Sequence, residues 1–146
     1  MPTSCASNLD HAFERLDAFW SPRVVAIANG QYVKVAKVKG EFIWHCHQEE
    51  DEFFLVRKGK LVIRYRDRPD VVLTEGDFHV VPRGVEHMPA APEECWIVLV
   101  EPAATKHTGD TEHALTRSIE EQLAPLRSPS QATRLQETEA QWPSKS

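Results

Sequence analysis

From residue 24 to 101 the chain reads as short strands and almost nothing else. Segments rich in Val, Ile, Phe and Tyr are broken by turn punctuation at Asn29-Gly30, Gly40, Lys58-Gly59, Asp67-Arg68-Pro69-Asp70, Glu75-Gly76 and Arg83-Gly84. β-Branched and aromatic side chains suit a pleated, half-buried surface, and glycine supplies the positive φ of tight turns. Strands at this spacing predict an all-β sandwich or barrel rather than alternating α/β units. At 146 residues the chain fits one domain with a real core.

Helical periodicity appears only at the flanks. Leu9, Phe13, Leu16 and Trp20 fall on one face of a helix expected over 9–20, capped by Ser7 or Asn8 and ended by Pro22. A second helix is expected to open at Asp110 or Thr111, with Leu115, Ile119, Leu123 and Leu126 along one stripe. After Arg127 the composition turns to Ser, Pro, Gln, Thr and Glu, which predicts a disordered tail. The expected organisation is a helical arm over 1–23, a barrel over 24–109, a helix over 110–127 and a disordered tail over 128–146.

The formal net charge of -5, with Lys and Arg scattered, argues against a general nucleic-acid binder. Charged residues interrupt every apolar run, so no membrane span is expected. The N-terminus lacks a basic start and an apolar signal core, which points to the cytoplasm. Cys5, Cys46 and Cys95 are odd in number and widely spaced, unlike a disulfide framework or zinc knuckle.

Two clusters carry chemistry. One is His45-Cys46-His47 with Glu52; the other is His87 at the end of Pro82-Arg83-Gly84-Val85-Glu86-His87. On a strand, His45 and His47 point to one face, and Cys46 and Trp44 to the other. Glu52, Phe54 and Val56 likewise share a face. Three imidazoles and a carboxylate suit a mid-first-row divalent metal with open positions. Asp51 remains an alternative to Glu52 as the carboxylate. Tyr65 and Lys37 are candidates to support the site, although half-exposed strand positions are the plainer reading. His79 is expected to pack or face solvent, and His11, His107 and His113 to lie on the surface. Cys46 is a weak nucleophile candidate.

The stretch Gly40-Glu-Phe-Ile-Trp-His45-Cys-His47-Gln-Glu-Glu-Asp-Glu52-Phe-Phe-Leu-Val-Arg-Lys-Gly59 resembles the first motif of the cupins. Gly76-Asp-Phe-His-Val-Val-Pro82-Arg-Gly84-Val-Glu-His87 resembles the second. The likeness covers roughly 33–101 and is similar to small single-domain cupins grouped with mannose-6-phosphate-isomerase-like proteins. Two departures stand out: four residues rather than the usual five separate Gly40 from His45, and Ala91 replaces the usual Asn. The resemblance implies a jelly-roll β-barrel, metal ligation by His45, His47, Glu52 and His87, and pairing of barrels into a homodimer.

The cofactor expected is one divalent transition metal per chain: iron, manganese, nickel or zinc. The function expected is an enzyme acting on a small molecule by oxygenation, isomerisation or lyase chemistry. The competing expectation is a non-catalytic module that binds a metal or metabolite.

Overall fold

The structure is a computed structural model that describes residues 5–103, 105, 107–109 and 113–126. The expected tail over 128–146 lies outside the described residues, as do Asp110 and Thr111. The described strands are β1 (Arg23–Ala28), β2 (Gln31–Glu41), β3 (Glu52–Lys58), β4 (Leu61–Tyr65), β5 (Val71–Leu73), β6 (Phe78–Val81) and β7 (His87–Pro102). All pair antiparallel, in the order β1-β2-β7-β3-β6, with β4 joined to β7 and β5 to β4.

The long strand β7 ties the barrel together. Its first residues pair with β4, from Tyr65↔His87 to Val62↔Ala90. Its later residues pair with β3, from Lys58↔Trp96 to Phe53↔Val100. Strand β2 follows both parts, and its register shifts between Val38 and Gly40, opposite the stretch containing Pro92. A bulge there bends the ladder and increases its twist, which lets β7 pair with β4 along its first residues and with β3 further on. The result is the all-β fold expected from the strand spacing, in the jelly-roll form that the resemblance implies. Gly59 shows why its turn takes no other residue. Its φ is +87°, and a Cβ would fall 2.7 Å from the Glu94 carbonyl oxygen.

Alternation along β2, β3 and β7 sorts the core. Ala36, Val38, Phe54, Val56, Ile97 and Leu99 fill the barrel. Val35 and Val98 face outward and are covered by Phe13 and Leu16. Phe13 also stacks on Trp96, with ring centroids 4.9 Å apart. Burying a side chain like Phe13 contributes about 1.5–3 kcal/mol.

Both helices are shorter than their periodicity predicts. Helix α1 spans Leu9–Glu14, capped by the Asn8 side chain accepting from the His11 N–H. Trp20, expected on the same face as Phe13, instead enters the barrel and stacks on Phe42 at 4.7 Å. A straight helix cannot present Phe13 outside the sheet and Trp20 inside it. The chain therefore leaves the helix, Phe19 bridges to Lys37, and Trp20 adopts φ 55°. Helix α2 spans Ile119–Leu123, capped by Ser118. Its buried residue is Gln122, while Leu123 from the expected stripe is 43% exposed. Gln122 is drawn in because it supplies an acceptor to the buried Lys34. No helix among the described residues is long and apolar enough to cross a membrane.

Candidate metal centre

His45 and His47 do not sit in a regular strand. The stretch between β2 and β3 forms no strand, and within it His45 bridges to His87, with reciprocal N–H to carbonyl bonds of 3.0 and 2.9 Å. The Gly84 N–H donates to the His47 carbonyl at 2.7 Å, which fixes the next stretch against the β6–β7 turn. Glu52 opens β3, two residues before the inward Phe54. Three segments distant in sequence thus deliver His45, His47, Glu52 and His87, all buried, with one ligand atom from each within 4.8 Å of the others.

The orientation of these side chains is informative. His45 Nδ1 lies 2.9 Å from the Ile43 carbonyl, and His87 Nδ1 lies 2.9 Å from the Val85 carbonyl. A carbonyl only accepts, so each ring carries its proton on Nδ1 and turns an Nε2 lone pair into the cluster. The Nε2 atoms of His45, His47 and His87 are buried and make no hydrogen bond among the described residues. His47 Nε2 approaches Glu52 Oε2 at 2.9 Å without hydrogen-bond alignment, and His87 Nε2 lies 3.6 Å from Oε1. Orphaned buried nitrogens are costly. Here they converge with a carboxylate, and a divalent cation would satisfy all of them. Donors about 2.1 Å from an ion are at most about 4.2 Å apart, so a shift of a few tenths of an ångström closes the set.

The electrostatics agree. Burial, followed by the neighbouring His87, pushes His45 down to about 4. Burial opposes charge on His47 and Glu52 too. The nearby Glu52 carboxylate nevertheless holds His47 above its usual value, and His47 and His87 hold Glu52 well below the carboxylate range.

The alternatives resolve by geometry. Asp51 is exposed and accepts the Arg83 N–H at 2.9 Å, so it braces a turn outside the cluster. Cys46 is half-buried, with Gln48 Nε2 donating to its Sγ at 3.0 Å. Lys37 lies over Trp96 at 5.2 Å, against the outer face, and Arg66 covers Trp44 at 4.0 Å. Tyr65 is more buried than expected. Its ring lies 6.4 Å from that of His87, and its hydroxyl is 2.7 Å from His79 Nε2.

Two features escaped the sequence reading. His107, expected at the surface, is only 8% exposed and lines a cavity together with His45 and Glu52. Lys34 and Glu101 form a buried ion pair of 2.7 Å inside the barrel. Burial and the nearby Glu52 push the Glu101 carboxyl up to about 8, against the pull of Lys34. A signal for the pair was available. Lys34 shares the inward face of Ala36 and Val38, and Glu101 that of Ile97 and Leu99. For His107 no local pattern existed.

The cupin domain family Cupin_2 matches residues 31–101. A solved cupin-2 domain protein from Shewanella frigidimarina is 45% identical and superposes with a TM-score of 0.64, covering 66% of this chain and 93% of that one. A solved Neisseria meningitidis protein is 26% identical at a TM-score of 0.62, covering 66% and 98%. The Bacillus subtilis protein YdbB is 35% identical over 63 residues, which span 43% of this chain and 56% of YdbB.

Proposed function

The chain belongs to the cupin family, and from that premise we propose that its barrel holds one divalent transition metal on His45, His47, Glu52 and His87 and uses it on a small molecule. The observation that carries this reading is the convergence of three unbonded, buried Nε2 atoms on one carboxylate. A bound ion would supply Lewis-acid chemistry, or redox chemistry if it is iron or manganese. The chain's own contribution is orientation. The carbonyls of Ile43 and Val85 hold two imidazoles in the ligating tautomer, and Phe54, Val38 and Leu99 keep the approach apolar. Oxygenation, isomerisation and lyase reactions all fit such a site. The cavity beside it is small, about 30 Å³, which supports a metal- or metabolite-binding module as the second reading. Turnover or oxygen consumption by the metal-loaded protein separates the two.

The deciding measurement for the site is metal analysis. Wild-type protein should carry close to one ion per chain, and His47→Ala and His87→Ala should carry little. Unchanged occupancy in both variants would sink the assignment.

We further propose that two copies pair through the outer face of β3 and β6. Phe78 and Val80 are 67% and 45% exposed there, and Phe53 stacks on Phe78 at 5.7 Å. A continuous apolar patch of this kind marks an interface. Light scattering should give a dimer for the wild type and a monomer for Phe78→Glu. A wild type that stays monomeric at micromolar concentration refutes the pairing.

A further inference from the structure

The segment after β7 folds back over the barrel and is wired to it by buried polar contacts. Lys34 Nζ donates to the Thr105 carbonyl at 3.0 Å and to Gln122 Oε1 at 2.6 Å. Gln122 Nε2 donates to the Arg117 carbonyl at 3.0 Å, and the Arg117 N–H donates to His107 Nε2 at 2.7 Å. Gly109 passes so close to Cys46 that a Cβ would fall 2.1 Å from the Cys46 carbonyl oxygen. His107 is therefore held firmly, 5.5 Å from the Phe42 ring, where it lines the cavity with His45 and Glu52.

The bond from Arg117 has a chemical consequence. Nε2 of His107 accepts, so a neutral ring carries its proton on Nδ1 and is a donor there. Burial, with Lys34 adding to it, pushes His107 down to about 3, which keeps the ring neutral near pH 7. Apart from His45, Glu52 and His107 the cavity wall is apolar, formed by residues such as Trp20, Val38, Phe54 and Leu99. Its volume of about 30 Å³ admits only a few heavy atoms. Three neutral imidazoles and one carboxylate leave a divalent ion with a residual positive charge. In apolar surroundings that charge favours a monoanion.

We infer that the cavity takes a short-chain carboxylate of formate to acetate size, and that His107 is the specificity-determining residue that donates a hydrogen bond to it. The inference rests on the metal reading above and adds the ligand class and a residue outside the ligand set. The test uses the full chain loaded with cobalt(II) and titrated with acetate, read by the visible absorption of the ion. Wild type should give a saturable spectral change with acetate and formate, and none with hexanoate or methylammonium. His107→Leu should bind acetate about tenfold or more weakly, the scale of one hydrogen bond to a charged group. His107→Asn, which keeps a donor, should recover part of that loss. Cobalt content should match the wild type in both variants, while His107→Leu, which removes the acceptor of the Arg117 N–H, should melt somewhat earlier. Equal acetate affinity in wild type and His107→Leu would overturn the role of His107. Should His107→Leu melt early, the wild-type preference for acetate over hexanoate and methylammonium decides the ligand class, and His107→Asn decides the role. Failure to take up cobalt is seen before acetate is added, and it refutes the metal reading and this inference together.

Discussion

The barrel interior holds two buried polar clusters of opposite character. In the first, His45, His47 and His87 turn unbonded nitrogens toward Glu52. In the second, Lys34 is matched by Glu101, the Thr105 carbonyl and Gln122, all within 3.0 Å. Both are buried, and both place charge in an apolar medium. Burial of polar groups therefore does not by itself mark a functional site. What distinguishes the clusters is whether a cation gathers the acceptors. The Lys34 ammonium gathers the Thr105 carbonyl, Gln122 and the Glu101 carboxylate, whose oxygens make no aligned hydrogen bond of their own, and so acts as an internal strut. The histidine cluster has no such cation among its own side chains, and its convergent nitrogens are what support the proposed metal site.

That contrast is broken most directly at Lys34. Lys34→Met keeps the stem but strands the Gln122 and Thr105 acceptors and Glu101. It should lower stability by about 3 kcal/mol in denaturant unfolding, the cost of breaking a buried pair. Metal content per folded chain should stay unchanged. A parallel loss of metal would mean that the two clusters form one functional unit.

Metal affinity should also depend on pH in a defined direction. His47 has a raised pKa in the metal-free protein, so its protonated pairing with Glu52 is fully present below pH 6.5 and lost as pH rises through the raised value. An ion must displace that proton. Affinity should therefore fall as pH drops through the raised His47 value, and the decline should begin above 6.5. Isothermal titration in two buffers of different ionisation enthalpy should reveal proton release on binding. A flat affinity from pH 8 to 6 would show that His47 is not a ligand.

The smallest effect is expected at Asp51. Asp51→Asn removes a carboxylate oxygen that braces the Arg83 N–H on the exposed surface. It should leave thermal stability and metal content nearly unchanged, whereas Glu52→Gln should weaken metal binding strongly. The reverse ranking would move the site's carboxylate from Glu52 to Asp51.

The chain's one-dimensional pattern determined more of the centre than of its surroundings. Strand periodicity and turn residues specify an all-β fold, because side-chain alternation is a local property. The spacing of His45 and His47, and the two motifs carrying Glu52 and His87, picked out the residues that converge, with Asp51 left open as the carboxylate. The helices were overextended because periodicity records which residues are apolar and not which side of a sheet each will cover. Phe13 and Trp20 share a helical face in sequence but lie on opposite sides of β2. The tertiary structure alone decided the rest. Choosing Glu52 over its neighbour Asp51 required the strand register that turns one inward and leaves the other on a turn. Placing His107 beside His45 required the chain to return across the barrel and be caught by Lys34 through Thr105 and Gln122. Such contacts join residues far apart in sequence, where no local periodicity connects them, and only closure of the barrel brings them into hydrogen-bonding range.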